Sequence, residues 1–338
     1  MVRVRTRACA PSLTQPLRSA WWSAVPYNFC GVPAQSPPLR LPENPTRISS
    51  ISLGLSLVAI CALVRTSGAT AATELAPAEP GKVLIEYVPP TDPKLEAAYK
   101  MLTEHGVLEN MQMLLGPFRL RFGITVRVKD CNGKRNAWYN DEDHTVTVCY
   151  EYAQDVIDHA PKETTPEGVT REDAIIGPVH EVFVHEFAHM LFDQFKVPLL
   201  GPEEDAADAV AAYSMMQFGQ KFARAAIGGL AYMYARKAKE QERTFEKEDL
   251  AEEHPLAQSR FYTLLCFAYG GDPKTFADVV TKGYLPEWRA KDCHYDYERI
   301  KYAVDTLLRP HRDMAKAKQV RAYFEKKFSS LDSKPAGR

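Results

Sequence analysis

The sequence predicts an α+β fold, with a small N-terminal β-sheet followed by a mostly helical body. Short apolar segments that alternate like β-strands occur between residues 82 and 150, and helical periodicity dominates from Glu151 onward. The composition is that of a globular protein, since 45% of the 338 residues are hydrophobic and 25% are charged. Because strands come first and helices later, the order favours α+β over alternating β–α–β units.

The segments before this domain resemble a targeting region in composition. Residues 1–47 contain six arginines, eight prolines and one acid, which predicts a disordered or mis-annotated extension. Residues 48–71 follow an arginine and combine an apolar run with small residues, as a secretory signal peptide does. The run is shorter than the roughly 20 residues of a membrane-spanning helix, so only an uncleaved signal would act as an anchor. Residues 72–81 are then a linker, 82–330 the domain and 331–338 a disordered tail.

The cysteines fit an exported protein. Four of the seven follow the signal segment, and an even number predicts two disulfides in an oxidising compartment. Cys131 and Cys149 end two predicted strands, and Cys266 and Cys293 lie on neighbouring predicted helices, so we expect these two pairs. The alternative is four buried thiols. The expected location is the periplasm or the extracellular space, and a net charge of -1 gives no reason to expect a nucleic-acid partner.

The elements of the domain follow from periodicity and turn residues. The strands are predicted at residues 82–88 and 124–128, and residues 136–139 and 145–150 flank a turn-rich loop as in a β-hairpin. The longest helix is predicted at residues 171–195. Further helices are predicted at residues 92–115, 203–216, 230–245, 255–269, 274–281, 294–308 and 313–328.

The sharpest functional signal is the sequence HEFAH at residues 185–189, an H-E-x-x-H motif inside the longest predicted helix. Residues i and i+4 lie on one face of a helix, so the His185 and His189 imidazoles can bind one metal ion. Glu186 is rotated off that line and can face a reacting water molecule. The motif therefore predicts two metal ligands and, in Glu186, a catalytic residue.

A catalytic zinc site needs a third protein ligand. Phenylalanines at positions 192 and 195 exclude the metzincin pattern, which has glycine and histidine there. An acid-rich helix start follows instead, in which Glu204 and Asp208 are i,i+4 and share a face. Glu204 is the predicted ligand, and Asp208 is predicted to accept a hydrogen bond from a ligating histidine. Glu203 and Asp205 remain competing ligands, and ordinary helix N-terminal electrostatics is the alternative explanation of these acids.

HEFAH followed by EDAAD resembles the gluzincin arrangement, H-E-x-x-H and then E-x-x-A-D, of thermolysin-like zinc peptidases. Together with NAWY at residues 136–139, TVCYE at 147–151 and RFY at 260–262, these motifs resemble a family of uncharacterised bacterial metallopeptidases over residues 82–310. The resemblance implies a zincin-like fold and one zinc ion. It implies ligation by His185, His189 and Glu204, with Glu186 as the catalytic acid.

Three functions fit these residues. The first is an exported zinc-dependent metallopeptidase that hydrolyses peptide or protein substrates with Glu186 as general base. The second is a catalytically silent, zinc-stabilised binding or scaffold protein, in which no pocket would open beside Glu186. The third is a zinc hydrolase of a non-peptide amide or ester, which only a substrate screen would separate from the first.

Two expectations concern how a substrate would be held. Residues 145–150 precede the long helix and are expected to present a strand edge to an extended peptide. A further hydrogen-bond donor is needed to stabilise the negative charge that develops on the substrate. The candidates are Tyr152, His254, Tyr262 and His294.

Overall fold

A computed structural model describes residues 81–244 and 246–329, so the expected signal peptide, the segments around it and the C-terminal tail lie outside the described residues. The strands are β1 (Val83–Tyr87), β2 (Ile124–Lys129), β3 (Ala137–Asn140) and β4 (Thr145–Cys149). The α-helices are α1 (Glu96–Glu104), α2 (Val107–Leu115), α3 (Tyr150–His159), α4 (Arg171–Phe195), α5 (Glu203–Met215), α6 (Gln220–Thr244), α7 (Ala257–Gly271), α8 (Ala277–Thr281), α9 (Glu287–Leu307) and α10 (Met314–Ser329). A small sheet followed by a helical body confirms the α+β class.

The sheet is mixed, with strand order β1-β2-β4-β3. The predicted hairpin is confirmed, because β3 pairs antiparallel with β4, with Ala137 opposite Val148. The parallel pairings of β1 with β2 and of β2 with β4 were not indicated by the order of elements. The connection from β1 to β2 runs through α1 and α2, so one β–α–β unit is embedded in the fold.

One predicted helix is interrupted. Residues 92–115 form a short 3₁₀ turn at Pro93–Leu95, then α1 and α2. The break is at Gly106, whose φ of 58° lies in the left-handed region that helices exclude and glycine adopts readily. The apolar period continues through the break, and for this reason the sequence suggested a single helix.

The long helix α4 has the predicted bounds and lies at the centre of the molecule. It begins with a capping box, in which Thr170 accepts from the Asp173 backbone N–H and the Asp173 carboxylate accepts from that of Thr170. It packs against β3 and β4 on one side and against α5 and α6 on the other. Most of its residues are buried, so its polar side chains need partners or must border a cleft.

Helix α6 crosses α4 at very short range. A Cβ placed on Gly229 would lie 1.8 Å from the backbone oxygen of Asp173, so only glycine permits this approach. Gly228 and Gly229 weaken helix propensity, which explains why the sequence predicted a start at residue 230. Packing against α4 overrides that propensity, and α6 begins at Gln220.

Both predicted disulfides are present. Cys131–Cys149 ties the loop after β2 to the end of β4, and Cys266–Cys293 joins α7 to α9. Among the described residues, no helix is long and apolar enough to cross a membrane.

Candidate metal centre

Helix α4 places the two motif histidines one turn apart and facing each other. His185 Nε2 and His189 Nε2 are 3.2 Å apart. His185 is buried and His189 is partly buried at the border of a cleft. The i,i+4 spacing therefore produces the paired imidazoles that the motif predicted.

Helix α5 brings a carboxylate to the same point. The chain turns back after Lys196, and α5 packs on α4 through the buried side chains of Ala188, Phe192 and Ala207. Glu204 Oε2 lies 2.9 Å from His185 Nε2, and its Oε1 lies 3.4 Å from His189 Nε2. The three predicted ligand side chains thus converge.

The remaining acids of this segment have different surroundings. Asp208 Oδ1 is 2.9 Å from His185 Nδ1, in the position predicted for it. Glu203 Oε1 is 2.8 Å from His189 Nδ1, on the ring nitrogen that faces away from Glu204. Asp205 is exposed. Glu203 and Asp208 are therefore placed to hold histidine rings, and Glu204 is the acid between them.

A buried network behind His185 was missed by the sequence reasoning. Arg260 on α7 donates to both carboxylate oxygens of Asp208 and, at 2.9 Å, to Glu181 Oε1. The Arg260 guanidinium also lies over the Tyr234 ring, 4.7 Å from its centroid. In the sequence, Arg260 is singled out only by its place in the RFY motif of the family resemblance. No local pattern links position 260 to position 208, because the contact joins two distant helices.

The charges of the cluster follow from these contacts. Burial disfavours a charged His185, but hydrogen bonds to Asp208 and Glu204 outweigh it and raise the pKa of His185 to about 10. Hydrogen bonds with His185, His189 and His254 hold the pKa of Glu204 far below its usual range. Glu203, Glu204 and Asp208 thus surround the two imidazoles with carboxylates, an arrangement that favours positive charge at the centre of the cluster.

Glu186 stands beside this cluster without joining it. Its side chain is buried, and burial raises the pKa of its carboxyl, while the two neighbouring histidines act in the opposite direction. It lines two cavities that meet beside His185. A carboxylate so placed can accept a proton from a group bound in either cavity.

The two cavities share a wall formed by Asn136, Ala137, His185, Glu186 and His254. The larger, of about 800 Å³, continues past Trp138 and Phe192. The smaller, of about 330 Å³, has a polar lining that includes a lysine, two arginines and two tyrosines. A pocket therefore opens beside Glu186, as a working hydrolase requires and a blocked scaffold would not.

The strand edge beside the candidate metal centre belongs to a different strand from the one that the sequence predicted. Strand β4 (Thr145–Cys149) lies between β2 and β3 and is fully buried, so the expectation that residues 145–150 present an edge is wrong. The sheet has edges at β1 and β3, and it is β3 that borders the cluster, since residues from Asn136 to Tyr139 line the larger cavity. The sequence suggested the wrong strand because the parallel pairing of β4 with β2 was not foreseen.

Of the four candidate donors, the structure brings one into the cluster. His254 Nε2 is 2.8 Å from Glu204 Oε2, and its ring stacks on that of His185 with centroids 5.7 Å apart. Tyr152 lines the smaller cavity. Tyr262 and His294 line neither cavity. The sequence contained no signal that would have singled out His254, which lies about 50 residues beyond Glu204.

The sequence matches a protein-family model over most of the described residues. The model of the DUF4344 family, described as “Putative metallopeptidase”, matches residues 87–308. The chain belongs to this family. The match contains strands β2 to β4, both cavities and every residue of the cluster described above. No curated protein and no solved structure matches the chain.

The family description of DUF4344 implies a metal ion, and the donor atoms fit one. In a tetrahedral zinc site with bonds of about 2.0–2.1 Å, the ligand atoms lie roughly 3.3 Å from one another. The two Nε2 atoms are 3.2 Å apart, and the Glu204 carboxylate reaches them through different oxygens, with Oε2 2.9 Å from His185 and Oε1 3.4 Å from His189. Two imidazoles and one carboxylate are also a donor set that zinc accepts in catalytic sites. His254 is close enough to be a further ligand.

Proposed function

We propose that this protein is an exported, zinc-dependent peptidase whose metal ligands are His185, His189 and Glu204. The observation that carries the proposal is the convergence of these three side chains beside Glu186, at the junction of two open cavities. The family description supports metal-dependent peptide hydrolysis in general terms.

Zinc bound there would polarise the scissile carbonyl and acidify a water molecule. The chain itself supplies the proton transfer. Glu186 accepts the proton of the attacking water and delivers it to the leaving amine, first as a general base and then as a general acid. Burial, which raises the pKa of its carboxyl, makes it a better base than an exposed glutamate.

The surrounding residues position this machinery. Asp208 accepts from Nδ1 of His185, which leaves Nε2 free to face a metal. Arg260 neutralises Asp208 and fixes its orientation through two hydrogen bonds. His254 stands at the wall shared by both cavities and is the best placed of the four candidate donors for the developing negative charge.

Export is supported by two lines of evidence. The two disulfides of the described residues are typical of an oxidising compartment. The apolar run at residues 51–64 has the features of a signal peptide. We therefore propose the periplasm or the extracellular space as the location.

The decisive experiment combines metal analysis with a peptide library. The purified protein should contain about one zinc per chain and cleave peptides, whereas Glu186→Gln should keep the zinc and lose cleavage by a factor of at least 10². Asp205→Asn, a matched change at an exposed acid of α5, should alter neither property. Absence of zinc after reconstitution would end the proposal, as would cleavage that survives in Glu186→Gln.

A further inference from the structure

The smaller cavity is lined by a lysine that forms no ion pair with any carboxylate of the described residues. Lys237 of α6 lines this cavity together with Glu186. Among residues 81–244 and 246–329, no carboxylate lies within ion-pair distance of its ammonium group, and its one described contact is the Tyr152 ring, with Nζ 5.8 Å from the centroid. An ammonium group in such a place attracts an anion that the folded chain does not supply.

The other cations of the cavity are already neutralised. Arg260 is engaged by Glu181 and Asp208. Arg135 is 2.9 Å from Asp155. Two acids further along the chain, the partly buried Asp249 and the exposed Glu252, also line the cavity and form no ion pair with Lys237. Lys237 is thus the cation available to a ligand.

A second donor lies on the same face of α6. Gln241 is four residues after Lys237, so the two side chains are neighbours on the helix surface, and both line the cavity. The Gln241 side-chain oxygen accepts from the backbone N–H of Ala257 at 2.9 Å. Because the oxygen is engaged in this bond, the amide NH2 of Gln241 is the donor that remains. Within the described residues it has no hydrogen-bond acceptor.

The Lys237 ammonium group is partly removed from water. Lys237 is half-buried, and desolvation lowers its pKa, while the more distant carboxylate of Glu181 opposes that change. The aromatic rings of Tyr152 and Tyr234 give the cavity lining an apolar portion. A volume of about 330 Å³ is within the range of sites that enclose small ligands and accommodates an amino-acid side chain.

We propose that Lys237 and Gln241 bind a carboxylate of the substrate, so that the smaller cavity selects an acidic side chain or a free C-terminal carboxylate near the bond that is cleaved. This inference rests on the proposed function, because the cavity is defined by its junction with Glu186. A carboxylate is the anion that a peptide carries, and one ammonium plus one amide N–H matches its two oxygens.

The first test is made on turnover. Peptide pairs that differ by Glu against Gln at one position, scanned across the cleaved bond, are each prepared with a free and with an amidated C-terminus. The wild-type protein should show kcat/KM about tenfold or more higher for the carboxylate member at one position, since a hydrogen bond to a charged group is worth about that factor. A preference for Glu over Gln at one position would show that the cavity binds a side-chain carboxylate. Faster cleavage of the peptides with a free C-terminus would show that it binds the terminal carboxylate.

Variants assign the preference to the lysine. Lys237→Gln should bring the carboxylate-to-amide ratio close to one, Lys237→Glu should invert it, and Lys237→Arg should retain part of it. Lys239→Gln, an exposed lysine of the same helix that lines neither site cavity, is the matched control and should keep the wild-type ratio. A wild-type ratio near one at every position, or a ratio unchanged in Lys237→Gln, would overturn the inference and leave the peptidase proposal intact.

The second test measures peptide binding without cleavage, so it can support the carboxylate subsite even if the peptidase proposal fails. Calorimetry on the zinc-loaded Glu186→Gln protein first compares the binding of Ala-Ala-Glu-Ala-Ala with that of Ala-Ala-Gln-Ala-Ala. It then compares the binding of the Gln peptide with a free C-terminus and with an amidated one. A preference of about tenfold for the carboxylate that disappears when Lys237→Gln is added supports the subsite, even if no peptide in the library is cleaved. In that case the peptidase proposal fails alone; equal binding of all members refutes the subsite.

Discussion

Each histidine of the H-E-x-x-H motif meets carboxylates on both of its ring nitrogens. His185 lies between Glu204 and Asp208, and His189 lies between Glu204 and Glu203. Since the outer carboxylate fixes which nitrogen carries the proton, the inner nitrogen is left to face the common point. The two outer acids differ in exposure, because the Asp208 side chain is 18% exposed and that of Glu203 is 53% exposed. The buried acid should therefore matter more.

Replacement of Asp208 by alanine tests this ranking. We expect Asp208→Ala to weaken zinc binding about 10–100-fold, the usual effect of removing a carboxylate that orients a ligating histidine. Glu203→Ala should weaken it less, because water can replace an exposed carboxylate. Competition with a chromogenic chelator measures both affinities. Equal losses in the two variants would contradict the role assigned to Asp208.

Arg260 is predicted to be important for stability as well as for the site. In Arg260→Gln the carboxylates of Glu181 and Asp208 lose the positive charge that neutralises them. Breaking a buried ion pair in this way destabilises proteins by about 3–5 kcal/mol. The control is Arg224→Gln, which breaks a pair with Asp278 whose arginine side chain is 41% exposed. That change should cost no more than about 1 kcal/mol. Urea unfolding of the two variants gives the comparison, and similar losses would argue against a special role for Arg260.

At the scale of elements, the site depends on how closely α6 crosses α4. The crossing is made by Gly177 on α4 and Gly229 on α6, where an added Cβ would lie 2.3 Å and 1.8 Å from backbone oxygen atoms of the opposite helix. Helix α6 also carries Tyr234 and Lys237 into the smaller cavity. A shift of α6 would therefore change the cavity as well as the core.

Adjacent glycines provide a matched pair for this contact. Gly229→Ala should destabilise the protein by about 1–3 kcal/mol, because the methyl group forces the helix backbones apart. Gly228→Ala places its Cβ in ordinary contact, 3.9 Å from Val169, and should be neutral or stabilise by about 0.5–1 kcal/mol through helix propensity. Thermal or urea denaturation measures the difference. The crossing would be judged unimportant if Gly229→Ala were as stable as Gly228→Ala.

At the scale of the whole molecule, a metal ion would link α4 to α5. A ligand that binds only the folded state stabilises it by about 2.7 kcal/mol at a concentration 100 times its Kd. Chelation should therefore lower the melting temperature, and added zinc should restore it. Glu204→Ala should melt at the same temperature with and without zinc. A zinc-dependent shift of full size in Glu204→Ala would remove Glu204 from the ligand set.

Much of this architecture was predictable from the sequence. Periodicity and turn residues defined the hairpin, α4 and α5, because those signals are local. The i,i+4 spacings of His185 with His189 and of Glu204 with Asp208 are also local, so a helix turns each directly into a shared face. Alternating strands and neighbouring helices were enough to pair the four cysteines.

The tertiary structure alone decided the contacts between distant segments. Parallel strand pairing, the Arg260 link to Asp208 and the approach of His254 to Glu204 join residues without a shared local pattern. The same packing leaves Lys237 without an ion pair in the part of the chain that the structure describes. The chain's apolar period specifies which face of an element is buried, but not which element covers it. That choice depends on backbone fit at points such as Gly229 and on the pairing of buried charges, both of which exist only after the helices have packed.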